Sequence, residues 1–233
     1  MPHKDFRPLM KNCKALTYRL VLAVCLFVIS PLAMSAIAHE IRPAVADLSM
    51  TSAPLPANNK ALHDQLFVTI DLNAELFLAG LDASFVRDTD DAPQGKDYDA
   101  LRALTADQLA QKFTNQWPNF EKALTGIADD RPLSFQLDSI QVEDNPAITL
   151  PRSSKIKISA PLNPNDASVR FGWNAALGPL VIRQQNQTEK PENLYTAYLE
   201  PGEISASIKR QGVTAQPVLT IMLDYAKIGF VHI

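Results

Sequence analysis

The chain has 233 residues, with 22 Lys and Arg against 25 Asp and Glu for a net charge of −3, and without its basic first 38 residues the remainder carries about −7. That balance disfavours nucleic acid as a partner, which needs concentrated Lys and Arg to replace its counterions, and gives no electrostatic pull towards anionic lipid. Both cysteines, Cys13 and Cys25, lie in those 38 residues, so disulfide and thiolate chemistry are excluded from the rest, whose stability must come from an apolar core.

Residues 1–38 have the order of a secretory signal. Lys4, Arg7, Lys11, Lys14 and Arg19 form a basic leader, and Leu20 to Ile29 is an apolar run. Ser30-Pro31 breaks it, and Ala36-Ile37-Ala38 offers the small side chains that a signal peptidase accepts. The expectation is a signal peptide over 1–38, cleaved after Ala38, and an exported domain over 39–233. After Ala38 no segment reaches the roughly 18 uninterrupted apolar residues of a spanning helix. The nearest, Val218 to Ile233, is broken by Asp224, Lys227 and His232.

Period-two alternation dominates the exported part, the signature of half-buried strands. It runs through Leu66-Val68-Ile70-Leu72, Leu133-Phe135-Leu137, Ile140-Val142, Ile156-Ile158 and Val169-Phe171-Trp173. It continues through Leu180-Ile182, Tyr195-Ala197-Leu199, Ile204-Ala206-Ile208 and a longer stretch from Val218 to Tyr225. Turn-formers such as Asn145-Pro146, Gly178-Pro179 and Pro201-Gly202 separate them. The pattern predicts a mainly β, antiparallel sandwich-like domain.

A short helical insertion is expected at about 98–125. Thr105 and Gln108 have the spacing of a capping box. Leu109, Phe113, Trp117, Phe120 and Leu124 then make one apolar stripe over about 106–125, which Pro118 should kink or divide. The stripe reads as a core-facing surface. Residues 51–60 and 88–99 read as irregular.

Enzyme motifs are absent: no G-x-S-x-G, H-E-x-x-H, G-x-G-x-x-G or phosphate-binding loop occurs, and the reading is non-enzymatic. The acidic stretch Asp88, Asp90, Asp91, Asp97 and Asp99 departs from a calcium loop, with Pro93 where glycine is needed and Asp99 in place of glutamate, and reads as a solvated loop. The metal candidates among the residues themselves are His39 and His63, while His232 on spacing alone is a terminal histidine of no assigned role. Cleavage after Ala38 would free the α-amine of His39, so that amine and imidazole chelate one Cu or Ni ion together, with His63 as a further ligand.

Several segments carry a family resemblance. They are Ala38-His39-Glu40-Ile41-Arg42-Pro43-Ala44, the run from Leu72 to Asp82, Tyr98 to Leu104, Leu150-Pro151-Arg152-Ser153, Tyr195 to Leu199, and Gly229-Phe230-Val231-His232-Ile233. In this order they resemble the N-terminal extracytoplasmic portion of HupE/UreJ-like membrane proteins. The resemblance implies that Gly229–Ile233 leads into a first transmembrane helix, where the family's histidine, at His232 here, is followed by Gly-Leu-Asp-His. It also implies a link to uptake of nickel or a related metal. Of the family's suspected metal residues only His232 carries over, which makes it a third metal candidate by resemblance. Transport by this chain alone is not supported, because a chain without spans forms no pathway through a bilayer.

The expectation is therefore the extracytoplasmic domain of such a protein, on the periplasmic side of a bacterial cytoplasmic membrane. The chain is then a fragment cut at the membrane boundary or a stand-alone version, and its partner is the family's membrane-embedded segment. The alternatives are a soluble periplasmic metal carrier using His39 and an interaction domain for an envelope partner.

Overall fold

The computed structural model describes residues 41–51, 64–86, 88–89, 92–144, 151–185, 193–211, 214 and 216–230. The chain divides into two units, Met1–Ala38 and His39–Ile233, and every described residue belongs to the second. The expected signal peptide and most of the 51–60 segment lie outside the described residues.

The domain is mainly β, with two sheets among the described residues. Strands β1 (Ala44–Thr51), β2 (Gln65–Leu72), β5 (Gln136–Val142), β6 (Ser154–Pro161), β8 (Leu180–Gln185) and β9 (Asn193–Leu199) make the larger one, in the order β5-β6-β2-β1-β8-β9. The smaller has β3 (Leu124–Ala128), β4 (Arg131–Pro132), β7 (Ser168–Trp173) and β10 (Ile208–Lys209), in the order β10-β7-β3-β4. All pairings are antiparallel except β1 with β8, which run parallel with Ala46 opposite Ile182.

Alternation explains which face is buried. In register, Ile140, Ile156, Ile70, Ala46, Ile182 and Ala197 form one row across all six strands of the larger sheet. Strand side chains two residues apart share a face, so the next row, with Ile158, Val68 and Leu48, is buried as well. From the smaller sheet Val169, Phe171 and Ile208 join the same core. Gln184 lies on this inner side and donates from Nε2 to the Lys209 carbonyl at 2.7 Å, tying β8 to β10.

Among the described residues three helices lie between β2 and β3: α1 (Ala74–Ala79), α2 (Gly95–Arg102) and α3 (Ala106–Glu121). Asn73 caps α1 by accepting the Leu76 amide, and Gly80 ends it at φ 71°, a left-handed conformation that glycine adopts without steric cost. The Thr105–Gln108 capping box is formed in both directions, at 3.2 and 3.0 Å. Phe77 of α1 meets Phe113 and Phe120 of α3 edge-on, with ring centroids 5.8 and 5.0 Å apart, which locks the two helices together.

Several expectations need correction. Helix structure starts earlier than 98, and α3 stops at Glu121 because Leu124 pairs with Trp173 as the first residue of β3. Pro118 divides nothing: it falls in the last turn of α3, where its missing amide forfeits a single hydrogen bond. The expected strand at Ile204–Ile208 shrinks to a bridge from Ile204 to Gly172 and the two residues of β10. Gly172 permits the approach, since a Cβ there would lie 2.5 Å from the Glu203 carbonyl oxygen.

The largest correction is at Val218–Tyr225, which is helical: α4 spans Val218–Phe230. A continuous apolar run has no distinguishing period, and Leu, Met and Ala favour a helix. Among the described residues no helix is long and apolar enough to cross a membrane.

Candidate functional site

Two clusters of polar side chains stand out, one sealed inside the domain and one at its rim. The inner cluster starts from Glu75, the single charge in the otherwise apolar α1. Its Oε1 receives hydrogen bonds from Arg152, with the Nε at 2.8 Å, and both side chains are out of solvent. Arg152 also donates from Nη1 to the Leu104 carbonyl at 3.0 Å and from Nη2 to that of Leu101 at 3.3 Å. Beside it the Tyr98 hydroxyl accepts from Asn73 at 2.7 Å and from Arg102 at 3.2 Å. Ser153 donates to Asp71 at 2.6 Å.

This node joins the end of β2, helices α1 and α2, and the approach to β6. Three of the segments that carry the resemblance meet in it, through Asn73 and Glu75, through Tyr98, Leu101 and Leu104, and through Arg152 and Ser153. Solvent reaches neither side chain of the pair, and Glu75 Oε2 is buried without a hydrogen-bond partner among the described residues. The pair constrains orientation, because a buried charge is costly in any geometry that separates it from its counter-charge.

The outer cluster lies where α4 packs on β9. Asp224 is buried there, and its carboxylate accepts the Tyr198 amide. Burial raises its pKa and the nearby Glu203 charge adds to the rise, against the Tyr198 amide and Lys227. Lys227 pairs with Glu200 at 2.8 Å, which raises its own pKa, and its Nζ stands 5.3 Å from the centroid of the Tyr198 ring. Burial also raises the pKa of Tyr195 and of Tyr198.

Asp224 and Lys227 of α4 thus meet the domain, while three of its large apolar residues face solvent. Leu219, Met222 and Leu223 are 68, 64 and 55 % exposed and sit at i, i+3 and i+4 on one stripe. That inverts the usual amphipathic arrangement.

The concave surfaces are less informative. An open groove of about 640 Å³ runs past Asp64, Asp166, Lys209 and Arg210. Most of its charges are paired, Arg210 with Asp64 at 2.5 Å and Asp166 with Arg131, outside the groove, at 2.7 Å. A recess of about 30 Å³ beside Asn73, Phe77 and Trp173 has room for roughly one water.

His39, His63 and His232 all lie outside the described residues, so their relative placement is not described. Asp90 and Asp91 are also outside them, and Asp97 and Asp99 stand on α2. Among the described residues no three His, Cys, Asp or Glu side chains gather as a metal site. The sequence signal for the inner cluster was the isolated Glu75 in an apolar helix. For the outer one it was the pair Asp224 and Lys227, three residues apart and so on one helix face. Compared with protein-family models the chain matches none, and no curated protein matches it.

Proposed function

We propose that this chain is the non-enzymatic extracytoplasmic domain of a HupE/UreJ-like membrane protein, displayed on the periplasmic side of a bacterial cytoplasmic membrane. The observation that carries the reading is the outward stripe of Leu219, Met222 and Leu223 on α4. Contiguous exposed apolar surface of this kind marks contact with a membrane or another apolar partner. The helix can bury it without disturbing the domain, because Asp224 and Lys227 already face β9. After Lys227 the sequence holds no further charge through Ile228-Gly229-Phe230-Val231-His232-Ile233. The resemblance supports the same side of the membrane, as does the signal-like order of residues 1–38. The metal link, with nickel as the family's ion and His39, His63 and His232 as ligands, rests on the resemblance and on the residue types.

Flotation with neutral phosphatidylcholine vesicles tests the contact. The chain should float with the vesicles at low and high salt alike, since the contact is apolar. The Leu219→Ser, Met222→Ser, Leu223→Ser variant should stay in the dense fraction. Equal flotation of the two forms, or none for either, contradicts the reading.

A further inference from the structure

β9 is the outermost strand of the larger sheet. A strand edge with open backbone groups is a template for another strand. Asn193–Leu199 reads NLYTAYL, with no charge, proline or glycine to discourage pairing. The opposite edge is managed differently: β5 carries Asp138 and a register shift between Leu137 and Ser139, and α3 packs along it.

On β9 the protection comes from side chains that follow in sequence. Gln216 donates from Nε2 to the Thr196 carbonyl at 2.7 Å and accepts the Thr196 amide on Oε1 at 3.3 Å. Its amide thereby takes the position that a peptide group of a neighbouring strand would take. Further along, Asp224 accepts the Tyr198 amide, and Lys227 closes the row on Glu200. The backbone groups they cover belong to Thr196 and Tyr198, two residues apart, the repeat of a strand's outward edge.

We infer that Gln216 and Asp224 are an edge guard, occupying the positions at which β9 of a second copy of this chain would pair antiparallel with β9. A two-fold axis at Thr196 sets Thr196 opposite its own copy and Leu194 opposite Tyr198 on both sides. Thr–Thr and aliphatic–aromatic pairs of this kind stabilise antiparallel strands. The contact is self-complementary, as a two-fold interface requires. After Leu199 the uncharged segment ends at Glu200.

The test is the solution mass of the full chain by light scattering over a dilution series, with a thermal melt of each form. The unmodified chain should be monomeric. Gln216→Ala with Asp224→Ala should melt cooperatively and double in mass as concentration rises. Adding Thr196→Pro, which deletes an outward amide at an edge where proline is tolerated, should restore the monomer. A folded double variant that stays monomeric overturns the inference, as does a dimer that survives Thr196→Pro. So does an unmodified chain already dimeric in a form that Thr196→Pro abolishes. If the double variant fails to fold, Gln216→Ala alone decides: a weaker dimer is expected, and loss of its cooperative melt overturns the inference, since a guard contributes no core.

Discussion

Arg152 reaches Glu75 across 77 residues of sequence, its Nε 2.8 Å from Oε1, with both side chains out of solvent. Neither residue is explained by its local element. The pair fixes α1 and the α2–α3 junction against the larger sheet, because the same guanidinium also holds the Leu101 and Leu104 carbonyls.

Breaking that pair from one side should be costly. Arg152→Met leaves the Glu75 carboxylate buried without its partner, a loss of about 3–5 kcal/mol. In a domain of this size that lowers Tm by roughly 10 °C. Glu75→Leu combined with Arg152→Met removes both charges and should be milder than Arg152→Met alone. Melting the four forms of the cycle reads the coupling directly; additive losses would contradict it.

Asp224 should make the domain less stable as pH rises. Its folded pKa lies above the unfolded one, chiefly through burial, so its contribution is complete below the unfolded pKa and is lost as pH climbs through the folded value. Asp224→Asn keeps an acceptor for the Tyr198 amide and has no charge to desolvate. Its Tm should exceed that of the parent at pH 7, with the gap closing towards pH 3.5. A gap that widens on acidification would contradict the assignment.

Asp129 should act in the opposite sense. It sits at φ 49°, and its carboxylate accepts the Ala167 and Ser168 amides, each at 3.0 Å, and the Ser168 hydroxyl at 2.9 Å. The Ala167 amide first, then the Ser168 hydroxyl, lowers its pKa. Its stabilisation is therefore present above the unfolded pKa and disappears as pH falls through the folded one. At pH 7 the expected order of Tm is parent, then Asp129→Asn, then Asp129→Ala. Asparagine tolerates the left-handed backbone and keeps one acceptor, while alanine does neither. The differences should contract below pH 3.

Metal binding is a separate prediction. Calorimetry with Cu²⁺ and Ni²⁺ on processed chain should give saturable heat that His39→Ala removes. Binding should weaken as pH falls, because amine and imidazole must shed protons. No heat at micromolar concentration would remove His39 from the proposal.

The strands with clean alternation, β2 and β6 above all, were legible because Leu66, Val68, Ile70, Ile156 and Ile158 are both large and regularly spaced. The start of α3 was legible because its cap lies three residues from its partner. β1 was not: Ala44 and Ala46 are buried but small, so the alternation that carries them into the core is faint. Its parallel pairing with β8 depends on residues more than 130 positions away and leaves no local trace. α4 misread as a strand because its apolar residues are nearly continuous, and only the docking of Asp224 and Lys227 on β9 gives it a polar face. For the same reason the inner cluster stayed hidden: Glu75 and Arg152 are each unremarkable until the fold brings them together. The histidines that looked most like a site lie outside the described residues.

The most direct test of the proposed function is fractionation of cells expressing the full chain, with protease added to intact spheroplasts. The account predicts that the chain sediments with membranes, that external protease digests it while a cytoplasmic control survives, and that Leu219→Ser with Met222→Ser and Leu223→Ser moves it to the periplasmic fraction. A chain protected with the cytoplasmic control, or one whose membrane association ignores those three substitutions, would contradict it.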